Sequence, residues 1–375
     1  MIKFWSYQNE YKKNKSSFIR LINNTLTKGQ IFFGNNLKKF ENNFKKKYKS
    51  KYSVAVGSGT DALLISIMAL GIKKGDEIIT AANTAIPTIS AIINSGAKPV
   101  LVDVNNDYLI DPIKIEKSIT KKTKALIPVH LYGKPCDMDK ILKIAKKYKL
   151  KVIEDCAQSQ GAKFKNKFTG TFGNLGCFSF YPTKILGAYG DGGLILTNDY
   201  NLYQLTKKIR FYGIDTVNKK NKYLNKYYSN INGVNSRLDE INSEILDFKL
   251  KKVDNFIKKR RVIASIYNKL LKNTSLVLPK NENNKFDVYH LYTVYHPKRN
   301  YIIKELYKNN IETRIIYPYP IHKMIAYRKL FKGKKFITSE KKSNGIFSLP
   351  LYPDLKIEDV KIISNKLIKI MKKIN

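Results

Sequence analysis

Four side chains stand in an order that can do chemistry. Lys184 lies in Cys177-Phe178-Ser179-Phe180-Tyr181-Pro182-Thr183-Lys184, five positions after Ser179, and Gly187, Gly190, Gly192 and Gly193 follow. Upstream, the apolar run Val152-Ile153 leads into Glu154-Asp155, and Gln158 comes three residues later. This order is what a pyridoxal phosphate (PLP) site needs. A lysine forms the Schiff base, a carboxylate pairs with the pyridinium nitrogen, and hydroxyl and N–H groups hold the phosphate. The ring withdraws electrons well only while its nitrogen stays protonated, and an adjacent carboxylate favours that form. Asp155 ends a strand-like run, so it projects at the carboxyl edge of a sheet, where ligands of open α/β folds bind. Gln158 can hydrogen-bond the ring hydroxyl, and Ser179 can donate to phosphate. A lone lysine near glycines is usually only solvated; the ordered set of four is what argues otherwise.

The elements that must position these groups alternate in type. Strands are expected at Ser53–Val56, Glu77–Thr80, Pro99–Val104, Ala125–His130, Lys151–Asp155, Gly176–Phe180 and Gly193–Thr197. Helices are expected at Thr60–Gly71, Ile86–Ser95, Pro112–Ile119, Met138–Tyr148 and Leu202–Phe211. Such alternation predicts an α/β fold with a mainly parallel seven-stranded sheet covered by helices. Ser236–Tyr267 reads as one long amphipathic helix or two in series. A strand at His290–Tyr295 and helices at Tyr301–Asn309 and Ile357–Ile374 complete a smaller C-terminal α+β domain. The expected division is 1–245, a large domain with an N-terminal arm, and 246–375. Val56-Gly57-Ser58-Gly59-Thr60-Asp61 runs from a strand through a glycine turn into a helix, a ready anion site that faces Ser179 as the other half of a phosphate cup.

Composition bounds the partners. The 375 residues suit a two-domain enzyme. The formal charge of +41 is spread along the whole chain rather than gathered in a patch, so no specific nucleic-acid partner is expected. The densest run, Leu37 to Lys51, keeps apolar residues at helical spacing and reads as a solvated helix face. Cys136, Cys156 and Cys177 form no framework, and with no signal peptide evident a reducing cytoplasm is expected. His130, His290, His296 and His322 lack metal-ligand spacing, so no metal is expected. No membrane partner is expected either, because the most apolar stretch, Ser53–Ile72, is broken by Gly57, Gly59 and Asp61.

The motifs together resemble the DegT/DnrJ/EryC1/StrS family of sugar aminotransferases. These are PLP enzymes of the aspartate-aminotransferase fold, fold type I. The likeness runs through Ser58-Gly59-Thr60-Asp61-Ala62-Leu63, Gly75-Asp76-Glu77-Ile78-Ile79, Pro128-Val129-His130-Leu131-Tyr132-Gly133 and Glu154-Asp155 to Gln158. It continues through Phe178-Ser179-Phe180 to Lys184, Asn235-Ser236-Arg237-Leu238-Asp239-Glu240, Pro320-Ile321-His322 and Ser348-Leu349-Pro350-Leu351-Tyr352-Pro353.

The resemblance implies roles. Lys184 is the Schiff-base lysine and moves the proton, and Asp155 pairs with the pyridine nitrogen. Gln158 faces the ring or its hydroxyl. Gly59, Thr60, Asp61 and Ser179 hold the phosphate, and Asn235 reaches the phosphate in the neighbouring subunit, making a homodimer with shared sites. Dehydratase relatives carry His where this chain has Lys184, which argues against that branch. Three departures stand out. Ala85 replaces the aromatic residue that often stacks on the ring, Tyr212 replaces a frequent His, and Tyr317 replaces a frequent His before proline. Tyr212, Tyr317 and His322 fall in regions that contact sugar. The implied reaction moves an amino group from L-glutamate to a dTDP- or UDP-linked keto-6-deoxyhexose, with C3 slightly favoured over C4 on Arg210–Gly213. Alternatives are a keto-cyclitol or aminobenzoate-precursor aminotransferase and a non-catalytic PLP-binding regulator.

Overall fold

The computed structural model describes residues 1–214 and 228–374. Helices α1 (Gln8–Thr27) and α2 (Asn35–Tyr48) come before the first strand. In α2, Leu37, Phe40, Phe44 and Tyr48 form one buried stripe and the lysines take the other face, as the spacing predicts.

The seven-stranded sheet follows: β1 (Tyr52–Val56), α3 (Gly59–Ala69), β2 (Glu77–Ala81), α4 (Ile86–Asn94), β3 (Lys98–Val102), α5 (Pro112–Lys117), β4 (Thr123–Ile127), α6 (Met138–Lys147) and β5 (Lys151–Asp155). A small hairpin of β6 (Lys163–Phe164) and β7 (Lys167–Phe168) precedes β8 (Leu175–Ser179), β9 (Gly193–Thr197) and α7 (Tyr200–Ile209). The strand order is β1-β9-β8-β5-β4-β2-β3, and β9 alone runs against the others. Strands β8 and β9 are buried at every residue, as expected for strands with both faces covered.

The register places the chemistry. Asp155 lies opposite Cys177, Ser179 opposite Gly193, and Val56 opposite Gly193. The ends of β1, β5 and β8 and the start of β9 therefore share one sheet edge. The loop after β2, which is parallel to β4, opens on that edge too.

Helices α8 (Glu240–Leu250) and α9 (Val253–Leu271) are two in series, with Lys251–Lys252 between them. Helix α9 belongs to two cores: Val253 and Ile257 pack with Phe40 and Phe178, whereas Ile263, Tyr267 and Leu271 pack with the C-terminal elements. Those elements are β10 (Lys285–Phe286), which pairs with β6, then β11 (Tyr292–Tyr295), α10 (Arg299–Lys308), α11 (Ile337–Ser343), β12 (Ile346–Leu349) and α12 (Ile357–Ile374). Strands β11 and β12 form a two-stranded antiparallel sheet. Among the described residues no helix is long and apolar enough to cross a membrane.

Some expected bounds shift. The strand expected at Ala125–His130 leaves the ladder after Ile127, because Pro128 has no N–H to donate; Val129 rejoins only through an isolated bridge to Asp155. The strand expected at Pro99–Val104 runs instead from Lys98 to Val102.

Candidate active site

Asp155 sits at the end of β5, 4% exposed. Its Oδ2 accepts from the Thr88 hydroxyl at 2.9 Å, and its Oδ1 accepts from the Ala157 N–H at 3.1 Å. Burial pushes its carboxyl above the usual range, while those two donors and the nearby Lys184 charge pull it down. Thr88 is itself held: its hydroxyl lies 3.1 Å from that of Thr84, one turn back across the start of α4. Ala85 is the N-cap of that helix, with Pro87 in its first turn.

Gln158 is fixed from both ends. Its Oε1 accepts from the Tyr132 N–H at 2.7 Å, and its Nε2 donates to the Tyr317 hydroxyl at 3.1 Å. Tyr132 adopts φ 60° and donates its hydroxyl to the Ile316 carbonyl, so the loop after β4 and the segment carrying Tyr317 are stitched together over Gln158. Burial, then the Asp155 charge, push the Tyr317 hydroxyl upward and keep it neutral.

Lys184 follows β8 in a turn closed by its own N–H on the Tyr181 carbonyl. Among the described residues its amine makes no hydrogen bond or ion pair. Burial pushes the amine down to about 8, with the Asp155 carboxylate opposing. A desolvated, unpartnered amine facing a carboxylate across the sheet edge suits a lysine that must be neutral to attack a carbonyl.

The phosphate cup is a matter of close approach. A Cβ at Gly59 would lie 2.6 Å from the Ser179 Cβ, so only glycine lets the start of α3 pack onto Ser179. Ser58 caps α3 by accepting from the Asp61 N–H at 3.1 Å. The Gly59 and Thr60 N–H groups, like those at any helix start, have no intrahelical acceptor and suit an anion. The Asp61 carboxylate is engaged elsewhere: it accepts from the Ser236 hydroxyl at 2.7 Å, and Ser236 in turn accepts from the Gly57 N–H. Gln160 donates to the Ser179 carbonyl at 2.6 Å and steadies the other wall.

Beneath the site lies a buried network that the motif reading missed. Glu154 accepts from the N–H groups of Gly170, Phe172 and Gly173 and contacts His130 Nε2 at 3.1 Å. The Cys136 N–H donates to His130 Nδ1, which fixes a lone pair there and leaves Nε2–H to donate. The Glu154 contact alone favours a charged ring; the Cys136 amide decides for the neutral tautomer. Glu154, His130 and Cys156 converge within 4.8 Å, yet both Glu154 oxygens are spent on these donors, so the trio is a structural network. The backbone N–H of His130 donates to the Asp155 carbonyl and ties the network to the end of β5.

The predicted residues divide into two groups. Asp155, Gln158, Lys184 and Tyr317 meet at the sheet edge, and Gly59, Thr60 and Ser179 meet at the helix start. Tyr212 and Asn235 join neither set of contacts, although Asn235 directly precedes Ser236, which bonds Asp61 and Gly57. Both are exposed, Phe211 and Asn235 pair in an isolated bridge, and neither bonds to the Lys184 group among the described residues. His322 is buried, with Nε2 2.9 Å from Glu340 Oε1 and its ring against Phe336. Thr88 and Tyr132 were missed. A threonine one turn into a proline-started helix beside the site was the available signal for Thr88.

The donor set fits PLP: an unpartnered amine, a carboxylate with two supporting donors, and a cup closed to any side chain at Gly59. The comparisons with known proteins agree. The profile of the DegT/DnrJ/EryC1/StrS aminotransferase family matches residues 12–368. A "dTDP-3-amino-3,6-dideoxy-alpha-D-galactopyranose transaminase" from Aneurinibacillus thermoaerophilus is 41% identical over 361 residues, covering 96% of this chain and 97% of the relative. Solved DesV from S. venezuelae superposes with a TM-score of 0.93 at 32% identity, over 98% of each chain. Solved NtdA from Bacillus subtilis, with bound cofactor PMP, gives 0.88 at 31% identity over 96% of this chain and 82% of that one. The chain belongs to the DegT/DnrJ/EryC1/StrS family and is a PLP-dependent aminotransferase of fold type I.

Proposed function

We propose that this aminotransferase moves an amino group from L-glutamate to C3 of a dTDP- or UDP-linked keto-6-deoxyhexose. The observation that carries the reading is the likeness, along nearly the whole chain, to a dTDP-3-amino-sugar transaminase. It is joined by the Lys184, Asp155 and Gln158 arrangement at the sheet edge.

When bound, PLP supplies the electrophilic carbonyl and the electron-withdrawing ring. The chain supplies the rest. Lys184 would hold the cofactor, and an amine lowered to about 8 can take up and release a proton near neutral pH. Asp155 keeps the ring nitrogen charged, and Thr88 and Ala157 hold its carboxylate in line. Gln158, fixed by Tyr132, would meet the ring hydroxyl. With Ala85 in place of an aromatic, Tyr317, whose hydroxyl accepts from Gln158, serves as substrate or cofactor wall. Gly59, Thr60 and Ser179 take the phosphate, and the Asp61 side chain braces the loop through Ser236. Asn235 and Tyr212, both facing outward, act at the site of a second copy, so the working enzyme is a homodimer. His322, held by Glu340, shapes the loop that carries Tyr317. The positive charge of the chain favours a diphosphate substrate.

The test is direct. Purified enzyme with glutamate is offered a panel of dTDP- and UDP-linked 3-keto and 4-keto sugars, and products are read by mass spectrometry and NMR. A 3-amino product with the highest kcat/KM is expected. Preference for a 4-keto sugar overturns the C3 assignment, and preference for a keto-cyclitol without phosphate overturns the nucleotide-sugar reading.

A further inference from the structure

A second cavity, of about 260 Å³, opens beside the loop after β4. One side is formed by Tyr108 and Tyr132 and the other by Leu278, Pro279, Tyr289 and Leu291. Its lining is therefore mostly aromatic and aliphatic. Five charged residues border it, Asp107, Lys134, Lys280, Asp287 and Lys342, and two of opposite sign, Asp287 and Lys342, stand out.

Asp287 is 5% exposed, and its Oδ1 has no hydrogen-bond partner. The one hydrogen bond Arg261 makes to this residue goes to its backbone carbonyl. Lys342 is the opposite charge. Its amine lies 5.0 Å from the ring centre of Tyr108 and 5.5 Å from that of Tyr295, and it makes no hydrogen bond or ion pair among the described residues. Of the other charges, the Lys280 side chain is exposed, whereas Lys134 and Asp107 are committed. Lys134 contacts Asp107 at 3.1 Å and Glu282 at 2.8 Å, and donates to the Lys280 carbonyl. A buried carboxylate oxygen without a donor is unfavourable, and the part-exposed Lys342 amine borders the same space.

We propose that this cavity binds an α-amino acid with an apolar or aromatic side chain, as the zwitterion. The ammonium meets Asp287 and the tyrosine faces, the carboxylate meets Lys342, and the side chain fills the space between Tyr108, Tyr132 and Leu291. One ligand of this class meets both charges and the apolar lining, which neither a plain cation nor a plain anion does. The site is distinct from the Lys184 cluster but touches it through Tyr132, whose N–H holds Gln158.

The test uses holoenzyme reduced with borohydride, so that amino acids cannot react at Lys184. L-Phenylalanine, L-tyrosine, L-leucine and L-methionine are titrated calorimetrically, beside phenethylamine and 3-phenylpropionate. At least one amino acid is expected to bind, with both phenylalanine analogues weaker by about tenfold or more. Asp287→Asn and Lys342→Met should each weaken binding by about tenfold, with unchanged far-ultraviolet circular dichroism. Lys342 is half exposed, so its variant decides the matter if Asp287→Asn fails to fold. Absence of binding at millimolar amino acid overturns the proposal. So does equal binding of either analogue, or binding that both folded variants leave intact.

Discussion

The Lys184 pocket and the Tyr212–Asn235 face are both rich in polar side chains, yet they are built differently. In the pocket nearly every group has a partner that fixes it: Thr88 for Asp155, Tyr132 and Tyr317 for Gln158, Gln160 for the Ser179 strand end. On the outer face the backbone is fixed, by the Phe211 and Asn235 bridge and by Ser229 on the Tyr212 carbonyl, while the side chains of Tyr212 and Asn235 face solvent. The pocket is preorganised by its own chain, whereas the face presents exposed side chains on a fixed backbone. On the shared-site homodimer proposed above, a single subunit reports on the first region and only the assembly on the second.

The sharpest way to break this contrast is to remove the amine. Lys184→Ala should abolish turnover while the fold persists, measured by coupled glutamate consumption and circular dichroism. Retained activity would remove the pocket from the chemistry altogether. Asp155→Asn comes next. It should lower kcat by about 10²- to 10³-fold with little change in melting temperature, because the lost charge acts on the transition state.

For the outer face the decisive measurement is complementation. Lys184→Ala and Asn235→Ala chains, each inactive or impaired alone, should regain activity when mixed and allowed to exchange, since one composite site is then intact. Unchanged activity despite exchange, shown by native mass spectrometry, would return Asn235 to its own subunit.

Thr88→Val tests the support within the pocket. Loss of one donor to the Asp155 carboxylate removes about 1 kcal/mol, so kcat should fall about fivefold with KM nearly constant. The smallest effect concerns pH. An amine lowered to about 8 is protonated below that value and becomes nucleophilic above it. The rate of PLP uptake by apoenzyme should therefore rise with pH through about 8 and then level off, followed by visible absorbance. A rise that continues to the pH of an ordinary lysine would mean that the pocket does not desolvate Lys184.

Much of the pocket was legible in the chain because its residues end locally readable elements. Lys151–Asp155 is an apolar run closed by acids, and Gly193–Thr197 is a β-branched run opened by glycine; both strands have those bounds. The partners were not legible, because they come from afar. Thr88 meets Asp155 across 67 positions, and Tyr132 reaches Gln158 only through a φ of 60° that no side-chain pattern announces. Helix α1 escaped notice because only Phe18 and Thr25 are buried, too few to set a period. Strand β12 is four residues long and gains its meaning only from pairing with β11. His322 carried a family motif, but Glu340, 18 residues on, decides where its imidazole goes.

The Glu154 network has a consequence for how the protein breathes. Gly170, Phe172 and Gly173 belong to no strand or helix, yet their amides end on a buried carboxylate that is anchored to His130. Opening that loop strips an anion of its donors inside the protein, which is costlier than fraying an ordinary turn. In hydrogen–deuterium exchange these three amides should be protected like those of the central strands, so that an irregular loop belongs to the slowest-exchanging unit of the molecule.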